Sequence, residues 1–143
     1  MGTTLEIVLI YNNRAFIGHI GDSRIYRIRK AIIRKLTQDH SYVQKLVKDG
    51  TITPEQAEKH PQKNILLKVL GCNAFIEPDV MVKGFLKEDV LVMCSDGLSN
   101  MVTQDDIYKM ASGNIEQATV DLVDKANENG GYDNITVVII KNI

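Results

Sequence analysis

The sequence predicts an α+β domain built on a mostly antiparallel β-sheet, and three observations support this. The chain has 143 residues, of which 44% are hydrophobic and 24% charged, a balance typical of a single globular domain with its own core. Its apolar segments follow the order strands, helices, strands, helices, strand, which differs from the regular alternation of a parallel sheet. A turn signal, Asn12-Asn13, separates two apolar runs closely enough to form a hairpin.

The first four predicted elements are strands. Residues 5–11 and 14–20 form the arms of the hairpin across Asn12-Asn13. Residues 24–29 mix basic with apolar side chains, which favours a strand with one solvated face. Residues 32–36 are expected to continue the same meander, so the N-terminal part is all β.

Two short helices are predicted between residues 40 and 62. Apolar side chains recur at helical spacing from 42 to 47, and Gly50 is a typical residue after a helix end. The stretch Thr53-Pro54-Glu55-Gln56 has the pattern of a capping box with proline at the first helical position. The second helix should end near His60-Pro61, because a residue before proline avoids the α conformation.

The C-terminal half returns to strands and then ends with two helices and a strand. Thr103 and Asn114 are the expected N-caps of the helices. The last strand is almost entirely β-branched, so we expect it to be buried on both faces. The predicted strands are 76–85, 89–94 and 135–141, and the predicted helices are 103–110 and 115–129.

Charge and leader patterns exclude several classes of partner. The formal net charge is −1, and no basic run is longer than a pair such as Arg29-Lys30, so neither nucleic acid nor a membrane surface is an expected partner. The first residues lack the basic and apolar regions of a secretion signal, which predicts a cytoplasmic protein. Cys72 and Cys94 are far apart without CxxC spacing, and reduced thiols are expected.

Three aspartates occupy equivalent positions beside strand ends. Asp22 and Asp96 each follow a strand, Asp133 precedes one, and each has a glycine nearby. If the strand entering Asp96 pairs antiparallel with the strand leaving Asp133, both carboxylates meet at one rim of the sheet. Two interpretations stay open from these residues alone: a site for a hard cation, Mg²⁺ or Mn²⁺, with oxygen ligands, or ordinary aspartate–glycine turns.

Several stretches also resemble the motifs of one protein family in order and separation. A strand ending in Gly-Asp-Ser-Arg, a Ser-Asp-Gly-Leu stretch and an Asp-Asn-Ile-Thr ending are similar to those of bacterial metal-dependent serine/threonine phosphatases of the protein phosphatase 2C (PPM) family. The matching stretches are 1–4, 18–26, 36–41, 60–64, 94–98 and 131–136.

This resemblance implies an antiparallel β-sandwich flanked by helices. Residues 1–143 would form a single, incomplete, C-terminal portion of the phosphatase domain, with a flap-like helical insertion at 38–65. The implied activity is hydrolysis of phosphoserine and phosphothreonine in proteins by a water that Mg²⁺ or Mn²⁺ activates. The implied partners are phosphoproteins made by a bacterial serine/threonine kinase in signal transduction.

The resemblance also implies roles for individual residues. Asp96 and Asp133 would be catalytic residues that bind the first metal directly. Asp22 would join Asp96 at a further, more loosely held metal. Gly97 and Asn134 would support the site, Gly97 by allowing close approach of the backbone and Asn134 by orienting the loop around Asp133.

One part of the family pattern has no counterpart here. The family's N-terminal segment, with its phosphate-binding arginine and a metal-bridging aspartate, is not found in this sequence. We therefore expect little activity from this chain alone, and self-association through apolar surface that the segment would cover. The alternative is a catalytically inactive phosphoprotein-binding or regulatory module of the same fold.

The other polar residues beside the motifs are given structural roles. His19, within the first motif strand, is expected to be a hydrogen-bonded structural residue, and His40 and His60 capping or packing residues. Arg24, like the other arginines of its strand, is expected to be solvated.

Overall fold

A computed structural model describes residues 1–143 and shows two antiparallel sheets packed face to face, with helices against one of them. The predicted fold class is therefore confirmed. The strands are β1 (Leu5–Tyr11), β2 (Arg14–Ile20), β3 (Arg24–Arg29), β4 (Ile32–Lys35), β5 (Asp79–Gly84), β6 (Val90–Cys94) and β7 (Val137–Lys141). The helices are α1 (Tyr42–Lys48), α2 (Pro54–Glu58), α3 (Asp96–Ser99), α4 (Gln104–Ala111) and α5 (Ile115–Glu128).

The first sheet has the order β1-β2-β5 and contains the predicted hairpin. Tyr11 pairs with Arg14 across a two-residue turn. Asn12 and Asn13 both have positive φ, 48° and 56°, a conformation that asparagine tolerates better than most residues. The turn chemistry visible in the sequence thus fixes the register of β1 against β2.

The second sheet has the order β4-β3-β6-β7, and all its pairs are antiparallel. The proposed pairing of the strand before Asp96 with the strand after Asp133 is confirmed. Cys94 at the end of β6 faces Val137 at the start of β7, and Arg24 at the start of β3 faces Cys94 from the other side. One end of this sheet therefore gathers the segments that lead to all three aspartates.

Two cores hold these layers together. Between the sheets, the buried residues Ile17, Ile25 and Leu91 pack with Phe85. On the other face of the second sheet, apolar side chains of β3 and β6 pack against the helices. The buried residues of this larger core are Tyr26, Ile28, Val90, Val92, Cys94, Leu98, Val102, Ile107, Ala111, Leu122 and Ala126.

The helix signals in the sequence are confirmed. The Thr53 side chain accepts from the Gln56 backbone N–H while the Gln56 side chain accepts from the Thr53 N–H, so the capping box forms. Thr103 and Asn114 cap α4 and α5 through their side chains. None of the helices, including the 14-residue α5, combines the length and apolar character that crossing a bilayer requires.

The structure departs from the sequence-based expectations at several places, and β7 starts at Val137 instead of residue 135. β5 starts at Asp79 instead of residue 76, because Pro78 has no N–H to donate to a ladder. β7 pairs only with β6, so it is an edge strand, and Val138 is 46% exposed; the expectation that it is buried on both faces is wrong. The short helix α3 was not anticipated, although Ser95 stands at its N-cap position.

Candidate metal centre

Asp96 and Asp133 are brought together by a close backbone contact at the end of the second sheet. Asp96 is the first residue of α3, directly after β6, and Gly97 follows it. A Cβ on Gly97 would lie 2.0 Å from the carbonyl oxygen of Asn134. Only glycine therefore allows the loop at 133–134 to pack against the start of α3.

Ser95 ties the same two segments together by hydrogen bonds. Its backbone N–H donates to the Thr136 carbonyl at 3.1 Å, and its Oγ accepts from the Thr136 N–H at 3.0 Å and donates to the Asn134 carbonyl at 3.3 Å. Asp133 in turn accepts from the Asn134 N–H at 2.7 Å. These bonds fix the Asp133 loop beside Asp96, where both side chains line a cavity of about 320 Å³.

The electrostatics of Asp96 reflect this proximity. Burial raises its pKa, and repulsion from the Asp133 carboxylate raises it further, against a lowering by backbone hydrogen bonds. A carboxylate in this position is costly without a neighbouring cation. The pair therefore has the donor chemistry and the unbalanced negative charge that suit a hard divalent ion.

Asp22 approaches Asp96 from the turn between β2 and β3. Burial raises the pKa of Asp22 to about 6, with repulsion from Asp96 and then Asp39 as the next causes. Asp22 and Asp96 both line a cleft of about 590 Å³. Gly21, with φ of +112°, allows the turn, and a Cβ there would lie 2.3 Å from the Thr4 Cγ2.

The carboxylates thus form two neighbouring pairs with Asp96 in common. Asp22, Asp96 and Asp133 do not all place ligand atoms within 4.8 Å of one another; the one group of three that meets this distance is His19, His40 and Asp79. The donors of the carboxylate pairs are oxygens, the ligand type that Mg²⁺ and Mn²⁺ prefer. The residues present fit such a cation, and their role as ligands stays a prediction.

His40 belongs to a hydrogen-bond network that supports the Asp22 turn. Its Nδ1 accepts from the Gly21 N–H at 3.1 Å, so its Nε2 carries the proton and donates to Asp79 Oδ2 at 2.9 Å. The neighbouring ring of His19 has its centroid 4.5 Å away. His40 therefore positions Gly21, and with it the turn that holds Asp22.

His19 is fully buried, as its structural role predicts. Its Nε2 donates to the Gln38 carbonyl at 2.8 Å, and its Nδ1 is hydrogen-bonded to the Glu6 carboxyl. Burial is the largest single influence and would lower the pKa of His19, but the hydrogen bond to Glu6, the Glu6 charge and the hydrogen bond to the Gln38 carbonyl together outweigh it and raise the pKa. All ring nitrogens of His19 and His40 are thus engaged in hydrogen bonds.

Several polar residues near the site were missed from the sequence. Arg24 was expected to be solvated, but this expectation is wrong. Its Nε and Nη2 donate to the Asp39 carboxylate, with a shortest distance of 2.7 Å. Glu6 was not singled out, although an acidic residue inside an apolar strand was a signal. Its Oε2 is buried and has no hydrogen-bond partner.

Replacing Asp22 by asparagine is expected to stabilise the metal-free chain. Because its folded-state pKa lies above the ordinary value of 3.8, the stability linked to its protonation is complete below pH ~4 and is lost as pH rises through about 6. The variant should gain roughly 1–2 kcal/mol in free energy of unfolding near neutral pH, after allowance for solvent screening, and about nothing near pH 4.

Urea unfolding in EDTA at the two pH values measures this difference. Asp124→Asn, which removes an exposed carboxylate of α5, is the matched control and should change stability little. An Asp22→Asn variant no more stable than the native chain near neutral pH would contradict the assigned repulsion.

Comparison with known proteins identifies the class to which this fold and site belong. A scan against protein-family models finds no match. The serine/threonine phosphatase stp of Listeria welshimeri is 43% identical over 144 residues, covering 99% of this chain and 57% of its own length. The solved S. agalactiae serine/threonine phosphatase superposes with a TM-score of 0.96 at 41% identity, over 100% of this chain and 60% of that one.

A third relative is described with metal ions. The catalytic domain of the serine/threonine protein phosphatase PstP, in complex with two manganese ions, superposes with a TM-score of 0.88 at 35% identity, over 97% of this chain and 58% of that one. The close homologues of this chain are thus bacterial protein phosphatase 2C-type serine/threonine phosphatases. The chain belongs to this family, PPM, and it spans less than two thirds of the length of the relatives it matches.

Proposed function

We propose that this chain takes part in the hydrolysis of phosphoserine and phosphothreonine in proteins, with Mg²⁺ or Mn²⁺ as the cofactor. The observation that carries the proposal is the position of Asp96 between Asp22 and Asp133. The pKa of Asp96 is raised by burial and by the Asp133 carboxylate, and that of Asp22 by burial and by Asp96. The similarity to PstP, whose catalytic domain is described with two manganese ions, supports the same metal.

The chemistry that the cation supplies is the activation of a water molecule for attack on phosphorus. Asp96 and Asp133 would hold one cation, and Asp22 and Asp96 another, each through carboxylate oxygens. Gly97 and Asn134 keep the Asp133 loop against the start of α3, so that the ligands are positioned before the ion arrives. This preorganisation matters because ligands on a loop are otherwise costly to order.

We also infer that residues 38–65 act as a flap over the substrate site. This segment contains α1 and α2, and its Lys63 and Asn64 line both the Asp22–Asp96 cleft and the Asp96–Asp133 cavity. No ion pair engages Lys63. The unpaired ammonium group of Lys63 suits an anionic phosphoprotein substrate.

A phosphothreonine peptide and Mn²⁺ test the proposed function. We expect slow phosphate release by this chain, abolished by EDTA, and slower by on the order of 100-fold or more than release by the S. agalactiae phosphatase, because incomplete substrate alignment costs that much. The Asp124→Asn variant should match the native chain. Absence of Mn²⁺-dependent release, with the peptide bound nonetheless, would favour the alternative of an inactive phosphoprotein-binding module.

A further inference from the structure

Tyr132 is an exposed aromatic residue directly beside the proposed metal ligand Asp133. It is 83% exposed, and it belongs to neither hydrophobic core and to neither aromatic pair of the molecule. It lines the cavity of about 320 Å³ together with Asp96, Asp133 and Lys63. An aromatic ring at the mouth of a binding cavity, without a role in the core, is typical of a residue that contacts a ligand.

The end of α5 holds the ring of Tyr132 in place. Gly130 has φ of +132°, and a Cβ there would lie 2.5 Å from Tyr132 Cε2 and 2.8 Å from its Cζ, so the ring packs against the bare backbone of this glycine. The Gly131 N–H donates to the Ala126 carbonyl at 3.1 Å, which ties the segment to the last turn of the helix. A ring that is fixed in this way loses little conformational entropy when a ligand packs on it.

The cavity combines a charged part with an apolar part. The charged part consists of the carboxylate pair at the end of the second sheet and the ammonium group of Lys63, and the apolar part consists of Met101 and Tyr132. The side-chain amide of Asn129 donates to the Met101 carbonyl at 2.7 Å, so the segments that carry the two apolar residues are joined. A ligand that fills the whole cavity therefore has an anionic group and an apolar side chain close to it.

We propose that Tyr132 is a specificity-determining residue, which binds an apolar side chain next to the phosphoserine or phosphothreonine of a substrate peptide. The inference rests on the proposed function, because it takes the phosphate of that peptide to lie between the cation and Lys63. The face of an aromatic ring is the negative part of its quadrupole, so it disfavours a carboxylate at that place. The cation and Lys63 make the cavity positive, which disfavours a basic side chain. An aliphatic side chain such as leucine is the preferred neighbour of the phosphorylated residue.

Peptides that contain the phosphonate analogue of phosphothreonine test this preference, because their carbon–phosphorus bond is not hydrolysed during the measurement. Three fluorescent peptides have glycine on both sides of the phosphonate residue, leucine before it, or leucine after it. In the presence of Mn²⁺, fluorescence anisotropy should show that one of the leucine peptides binds the native chain about tenfold more tightly than the glycine peptide.

Two substitutions of Tyr132 separate the ring from its hydroxyl group. Tyr132→Ala should bind all three peptides with the same affinity, because the contact with leucine is lost in both members of each comparison. Tyr132→Phe should keep the preference for leucine, since the ring face provides the contact. Tyr132→Ala should also bind Mn²⁺ with the native affinity by calorimetry, which distinguishes loss of the ring from displacement of Asp133.

Tyr11→Ala is the matched control, because Tyr11 is a 65% exposed tyrosine at the hairpin end of β1. It should keep the preference for leucine. Failure of every peptide to bind the native chain would overturn the proposal, as would an unchanged preference in Tyr132→Ala or a lowered Mn²⁺ affinity of that variant. A preference that depends on Tyr132 in a chain without Mn²⁺-dependent phosphate release would support this inference and overturn the proposed hydrolysis instead.

Discussion

Asp96→Asn is expected to weaken Mn²⁺ binding more than any other single substitution in the site. Asp96 is common to both carboxylate pairs, so its replacement leaves Asp22 and Asp133 without a shared ligand. Metal affinity should fall by on the order of 100-fold or more, since even the partners of metal ligands are worth 10- to 100-fold. Asp22→Asn should leave the Asp96–Asp133 pair intact, and Asp133→Asn should leave the Asp22–Asp96 pair intact.

Calorimetric titration and thermal unfolding measure this loss independently of activity. At a Mn²⁺ concentration of about 100 times its Kd, the native chain should gain about 2.7 kcal/mol, equivalent to roughly 5–10 °C in Tm, and Asp96→Asn, with its affinity reduced about 100-fold or more, should gain about 0.4 kcal/mol or less. Asp124→Asn again serves as the control and should behave as the native chain does. If Mn²⁺ stabilises Asp96→Asn as much as the native chain, the carboxylate pairs are not the Mn²⁺ ligands, which contradicts the proposed function.

Gly97→Ala is expected to move Asp133 away from Asp96 through a steric clash between the new Cβ and the backbone of Asn134. The new Cβ would lie 2.0 Å from the Asn134 carbonyl oxygen and 2.9 Å from its carbon, so the backbone at 133–134 must move. We expect a loss of roughly 2–3 kcal/mol in free energy of unfolding, as for other overpacked sites. Mn²⁺ affinity should fall toward that of Asp133→Asn, although no ligand has been changed.

Gly113→Ala is the matched control for this substitution. The nearest atom to a Cβ on Gly113 is the Met110 carbonyl oxygen at 3.9 Å, so alanine fits there without strain. Its stability should equal that of the native chain or exceed it by a few tenths of a kcal/mol. If urea unfolding gives the same result for Gly97→Ala, the loop does not depend on the close contact at α3.

Local chemistry explains why much of the fold was predictable from the sequence. Asn12 and Asn13 specify the hairpin turn, and Thr53 with Gln56 specifies the start of α2, because the groups that interact lie within a few residues of one another. The proximity of Asp96 and Asp133 was predictable for a related reason. Asp96 and Asp133 adjoin β6 and β7, so one antiparallel pairing was enough to bring them to the same rim.

Contacts between residues distant in sequence explain what was missed. The bond of Arg24 to Asp39 and that of His40 to Asp79 join separate segments of the chain, and neither partner carries a local signal. The burial of β7 was overestimated for the same reason. Its β-branched composition indicates a strand, but only the order of the sheet makes it an edge.

The sequence by itself determined the elements, their turns and caps, and the three aspartates beside strand ends, because these depend on side chains acting on their own backbone. The tertiary structure alone decided that Asp96 stands between two carboxylates, that His40 holds the Asp22 turn, and which sheet exposes an apolar face. Each of these follows from which segments pack together, and packing depends on shape and burial across the whole chain.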